Sequence, residues 1–120
     1  METSVNNKCK AFTSLEQSKV LAEILPLESA DMCWQYQKDR WVGEPDYEEF
    51  PQFEHATDKR DIPCWSFAAL FGVLPNASIL LKGFDKIYDL TNSGGEIARA
   101  NNPIDACYEL ILKLHKLNLL

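Results

Sequence analysis

The stretch SILLKGFDKIYDLTNSGGEIARANNPIDACYELILKLHKL, residues 78–117, decides the fold. Three short segments, Ser78–Lys82, Lys86–Leu90 and Glu96–Ala100, read as strands because each carries apolar residues between breakers. Gly83 and Ser93-Gly94-Gly95 supply the breaks, and the last two strands read as a hairpin. The pattern then changes from short runs to helical spacing. Asn102 is placed to cap, Pro103 to occupy the first helical position, and Asp105 to meet the positive end of the helix dipole. Ile104, Cys107, Leu110, Ile111 and Leu114 fall on one face, with Asp105, Glu109, Lys113 and Lys116 opposite. A meander of strands followed by an amphipathic helix is the frame on which the rest must pack.

Upstream, Cys64 to Leu74 reads as a helix that ends at Pro75. Ser66 is its lone polar residue, so burial on nearly all sides is expected, with a small-residue side at Ala68, Ala69 and Gly72. From Ala30 to Val42, Met32, Trp34 and Tyr36 alternate with Cys33, Gln35 and Gln37, a period of two. This predicts a β-hairpin turning at Lys38-Asp39 into Arg40-Trp41-Val42. A first helix is expected from Thr13, with Thr13 and Glu16 as a capping box, Leu15, Val20, Leu21, Ile24 and Leu25 as its apolar side, and Pro26 as its stop. Residues 1–11 read as a flexible tail ahead of a single domain, 12–120. The predicted order is α-β-β-α-β-β-β-α. It implies an α+β fold with three helices covering a small antiparallel or mixed sheet of four to five short strands.

The chain has 120 residues, 46% hydrophobic, with three Trp, four Tyr and six Phe, enough for one packed core. Its net charge of −6 disfavours a phosphate backbone as partner, so direct nucleic-acid binding is not expected. No apolar run reaches the roughly 20 residues that span a bilayer. The polar start, Met1 to Phe12, lacks the apolar stretch of a secretory signal, which points to the cytoplasm. Cys9, Cys33, Cys64 and Cys107 form no C-x-x-C pair, so neither a zinc knuckle nor a redox motif is written, and buried free thiols are expected.

Most of the acidity sits between Glu44 and Asp61, where seven carboxylates face only Lys59 and Arg60. With Pro45 and Pro51 this segment reads as a long loop or an edge-type extended piece. Asp46, Tyr47, Glu48, Glu49, Phe50, Phe53 and Glu54 interleave carboxylates with aromatics, a pattern suited to a basic protein partner. The bland alternative is a solvated charged loop. Cys64 is the residue to test as a nucleophile, because a helix N-terminus favours a thiolate and His55 lies nine residues earlier; a packed core cysteine is the competing reading. His55 and His115 have no metal-site spacing, and Ser93-Gly94-Gly95 lacks both the spacing and the following helix of a phosphate loop. No cofactor or metal is therefore expected. Trp34, Trp41 and Trp65 could enclose a small ligand, though aromatics at such positions usually build core.

Ile62-Pro63-Cys64-Trp65-Ser66-Phe67-Ala68-Ala69-Leu70, running on to Leu74-Pro75, resembles an I-P-x-W-S-x-x-A-L-x-x-x-L-P signature. Asn102-Pro103-Ile104-Asp105-Ala106 resembles an N-P-x-D-A helix opening. Both are similar to motifs of small uncharacterised proteins of gut anaerobic bacteria, often associated with phage or other mobile elements, and the resemblance covers most of Phe12 to Leu120. It implies an accessory protein of a mobile element with a host or phage protein as partner, and brings no catalytic residues with it. The residues point to a non-enzymatic interaction module, monomeric or a small homo-oligomer, that uses the acidic-aromatic segment. The alternatives are a thiol-dependent enzyme or redox-responsive protein using Cys64, and a small-ligand binder.

Overall fold

The computed structural model describes residues 11–37, 46–47, 51–54, 60–75 and 78–120. Its C-terminal half is the meander and helix that residues 78–117 dictate. Strands β5 (Ile79–Lys82), β6 (Tyr88–Thr91) and β7 (Ile97–Ala100) form an antiparallel sheet in the order β5-β6-β7. Leu80, Leu90 and Ala98 line up across it and face inward. Helix α3 (Pro103–Lys116) lies on that inner face and buries Ile104, Ala106, Cys107, Leu110, Ile111 and Leu114. Its cap is built as the sequence dictates: the Asn102 side chain accepts from the Asp105 N–H at 2.8 Å and donates to the Asp105 carboxylate at 2.8 Å.

The two hairpin turns share one geometry. Lys86 N–H donates to Gly83 O at 3.0 Å, and Gly95 N–H donates to Asn92 O at 3.1 Å. Each turn needs a left-handed residue before the next strand. Gly95 supplies it in one (φ 90°) and Lys86 in the other (φ 64°), at a steric cost for the side-chain-bearing residue.

The N-terminal half is assembled from segments far apart in sequence. Helix α1 (Leu15–Leu21) is followed by a 3-10 turn (Leu27–Ser29), then β1 (Met32–Trp34), β2 (Tyr36–Gln37), β3 (Asp46–Tyr47), β4 (Ile62–Cys64) and helix α2 (Phe67–Gly72). β1 pairs antiparallel with β4, with Met32 opposite Cys64 and Trp34 opposite Ile62. β2 pairs antiparallel with β3. Apart from the two-residue pair β2–β3, the order is α-β-β-α-β-β-β-α, the α+β order expected, and every described pairing is antiparallel.

Several local expectations are corrected. The partner of β1 is Ile62–Cys64, so Cys64, expected to open a helix, ends a strand instead. Pro63 is tolerated because the Cys33 backbone opposite it exchanges both its hydrogen bonds with Gln52 instead, at 2.8 and 2.9 Å, so the missing N–H is not needed. The helix begins only at Phe67. Ser66 caps it, accepting from Ala69 N–H at 3.3 Å while its own hydroxyl donates to Asp31 at 2.6 Å. Nor is α2 buried on all sides: Ala68 and Gly72 are exposed, and Leu70 is its one fully buried residue. In the hairpin expected at Lys38-Asp39, Gln37 stands opposite Asp46 rather than Arg40; residues 38–45 lie outside the described residues. At α1 the capping box is Ser14 with Gln17, one residue later than expected, and the helix ends at Leu21, before Pro26. Thr13 cannot cap because its side chain points into the core.

Among the described residues, two hydrophobic clusters result. The larger joins α3, the β5–β7 sheet and α2 around Trp65, Leu21, Leu25, Leu70 and Leu74. The smaller holds Met32, Trp34 and Cys64 against Phe12, Leu15 and Ile62.

Candidate functional site

Cys64 lies at the seam of these clusters, in a strand and two residues before the Ser66 cap. It is fully buried. Its thiol donates to Thr13 O at 3.4 Å and lies 3.5 Å from the Thr13 hydroxyl. Burial pushes the thiol pKa up, and the Thr13 and Ser18 hydroxyls offset this only in part. A helix terminus to favour the thiolate is absent at this position, and the thiol does not reach the surface. The environment is that of a core cysteine.

Around it runs a buried polar chain that the sequence did not announce. Thr13 Oγ1 accepts from Trp65 N–H at 3.2 Å and lies 2.8 Å from Ser18 Oγ, which accepts from Trp34 Nε1–H at 3.2 Å. Thr13 and Ser18 are both fully buried. Trp65 Nε1–H donates to Ser29 at 3.0 Å. Trp34 and Trp65 sit in different clusters, each tied to its own serine. Trp41 lies outside the described residues.

Cys33, on the opposite face of β1, has its pKa raised to about 11, first by burial and then by the Asp61 and Glu54 carboxylates. Cys107 is raised to about 12 by burial alone. His115 is exposed at the C-terminal end of α3, on a shallow cleft with Lys19, Val20, Glu23 and Ile24; His55 lies outside the described residues. Among the described residues, no three His, Cys, Asp or Glu side chains gather as a metal site. No described helix is long and apolar enough to cross a membrane.

Parts of the acidic-aromatic segment fall among the described residues. β3 holds Asp46 and Tyr47 beside β2, and the double backbone bridge from Gln52 to Cys33 anchors the next stretch to β1. Pro51 is buried there. Gln35 donates to the Glu54 carboxylate at 2.9 Å, and the Asp61 carboxylate accepts from Tyr36 N–H at 2.9 Å. The Arg60 guanidinium stacks 4.2 Å from the centre of the Tyr36 ring. Between these ties Phe53 stands 74% exposed beside exposed Glu54. Glu48, Glu49 and Phe50 lie outside the described residues. The structure thus brings Asp46, Tyr47, Phe53 and Glu54 onto pieces of chain docked along one edge of β1–β2.

A second surface was missed at the level of sequence. The outer face of the β5–β7 sheet carries Ile79 and Leu81, 55% and 64% exposed, with Ile97 in the same row as Ile79. The signal was present in the period-two pattern of these strands, whose inward residues fix which ones point out. Comparison with protein-family models, curated proteins and solved structures finds no match for this chain.

Proposed function

We propose that the protein is a non-enzymatic interaction module that binds a basic protein partner through the acidic-aromatic segment, as an accessory protein of a phage or mobile element. The observation that carries this reading is Phe53, held 74% exposed next to Glu54 on a stretch anchored by the Gln52–Cys33 backbone bridge. An apolar ring presented from an anchored segment loses little conformational freedom on binding, and the acidic composition of the segment steers a basic surface toward it. The thiol alternative is disfavoured by the complete burial of Cys64 and its raised pKa. The aromatic-pocket alternative is disfavoured by the separation of Trp34 from Trp65.

The test is a tagged pull-down from native bacterial lysate, comparing wild type with Phe53→Ser/Glu54→Gln. A stoichiometric partner is expected with wild type, lost in the variant at unchanged melting temperature, and weakened as salt shortens the Debye length from about 10 Å to about 3 Å. Equal capture by both proteins would remove this segment as the contact surface.

A further inference from the structure

The two edges of the β5–β7 sheet are treated differently. In an antiparallel ladder, bonded and non-bonded pairs alternate, so one known bond fixes the direction of every other main-chain group. Gly83 N–H donates to Ile87 O at 2.9 Å at the β5–β6 turn. Counting back, the main-chain groups of Leu81 and Ile79 point to β6, and those of Leu80 and Lys82 point away. Asn92 N–H donates to Glu96 O at 3.1 Å at the other turn, which directs the groups of Ile97 and Arg99 to the far edge of β7. That edge is guarded: the Lys113 ammonium of α3 donates to Ile97 O at 2.6 Å. Along β5, no described strand pairs with the outward groups of Leu80 and Lys82.

We infer that β5 is a self-association edge: two copies pair antiparallel through β5, with Leu80 opposite Leu80 on the two-fold axis, to make a continuous six-stranded sheet. Three features select a second copy and this register. Residues directly opposite must share a face, and this register sets Ile79 against Leu81 of the other copy on the outer side. A shift by one residue would set inward against outward side chains. A shift by two, which puts Leu81 or Ile79 on the axis, would leave one outer pair of large apolar residues in place of two. A shift by four, which puts Lys82 on the axis, would oppose two ammonium groups, whereas the Leu80 register sets each Lys82 against Ser78. Charge also permits the approach. The chain carries −6, but the stretch from Ser78 to Lys86 holds Lys82 and Lys86 against Asp85, so the paired edges are not acidic. The Asp89–Arg99 ion pair at 2.8 Å sits on the outer face beside Leu81, and two of the three exposed Ile and Leu side chains of that face, Ile79 and Leu81, lie on the open edge. The contact is isologous, as a closed dimer requires. It is small beside a standard interface of about 1,600 Å², so the dimer is reversible.

The test combines sedimentation velocity with amide hydrogen exchange across about two decades of concentration around the micromolar range. A monomer–dimer equilibrium is expected, with the Leu80 and Lys82 amides gaining protection as concentration rises and the Leu81 amide protected throughout. Leu81→Lys places its ammonium opposite Asp89 within the same sheet, so the monomer keeps its fold while a charge enters the dimer patch. This variant is expected to weaken dimerisation at least tenfold. Phe53→Ser/Glu54→Gln is expected to leave it unchanged, which separates this edge from the proposed partner surface. A monomer at every concentration, or a dimer in which the Leu80 amide stays unprotected or Leu81→Lys has no effect, overturns the inference.

Discussion

Replacing Thr13 by Val takes one oxygen out of the interior while nearly preserving shape, and the structure says what that oxygen holds. Thr13 is fully buried, and its hydroxyl accepts from the Trp65 backbone N–H at 3.2 Å. Val leaves that donor buried without its partner, a penalty of about 1–3 kcal/mol. The Ser18 hydroxyl also loses a 2.8 Å neighbour but keeps the Trp34 indole, which adds about 1 kcal/mol. A total loss of about 2–4 kcal/mol is expected, a large share of the roughly 5–15 kcal/mol by which a domain is stable. Ser18→Ala, which leaves Trp34 Nε1–H without its acceptor, is expected to cost about 1–2 kcal/mol. The double variant should cost less than the sum of the two by about 0.5–1.5 kcal/mol, because the Thr13–Ser18 contact is removed in both singles. Urea unfolding followed by tryptophan fluorescence measures all four proteins, with an equal slope against urea as the condition for comparison. A Thr13→Val protein within about 0.5 kcal/mol of wild type, or strictly additive losses, would refute the network.

The matched turns give a paired test. Lys86→Gly should stabilise by about 0.5–1 kcal/mol by removing the left-handed penalty, while Gly95→Ala should destabilise by at least 1 kcal/mol, both read from thermal or urea unfolding; a loss of stability in Lys86→Gly would refute the reading. Alkaline pH should weaken the fold through its thiols. The Cys107 pKa is raised from 9.0 to about 12, so above pH 9 the unfolded chain loses a proton that the native state keeps. Stability is then full below pH 9 and falls by about 1.4 kcal/mol per pH unit per such thiol until the native pKa is reached. Cys107→Ala should flatten the difference between pH 8 and pH 10.5 under reducing conditions, and an unchanged pH dependence would count against the burial of this thiol.

Legibility in this sequence followed the distance between interacting parts. Residues 78–117 carry their instructions locally: turn residues stand a few positions apart, the Asn102–Asp105 cap closes on itself, and the stripe of α3 faces the strands just before it. Those elements were read correctly to within a residue or two. The errors came where the deciding partner was remote. Pro63-Cys64-Trp65 suits a helix opening as well as a strand, and only Met32–Trp34, about thirty residues earlier, makes it a strand. Thr13 has a good capping side chain, yet the Trp65 N–H, 52 residues away, claims it and passes the cap to Ser14. Alternation at Met32–Gln37 gave the strand but not its neighbour, because a period of two fixes faces and says nothing about pairing.

The candidate surfaces divide along the same line. Composition located the acidic segment but could not distinguish a solvated loop from an anchored one, since that depends on Gln52 meeting Cys33 and Gln35 meeting Glu54. The apolar face of β5 was written openly in Ile79 and Leu81, but an exposed apolar residue and a core one look alike until the helix has chosen its side of the sheet. These surfaces lie on different sheets, the first along β1 and β2 and the second on β5–β7. A dimer joined at β5 would carry two copies of the Phe53–Glu54 surface. A partner with two basic sites would then be held by avidity, its second contact gaining an effective concentration that the monomer cannot offer. Partner affinity that falls in Leu81→Lys as well as in Phe53→Ser/Glu54→Gln is what this arrangement requires; a fall in the latter alone would mean that each copy binds by itself.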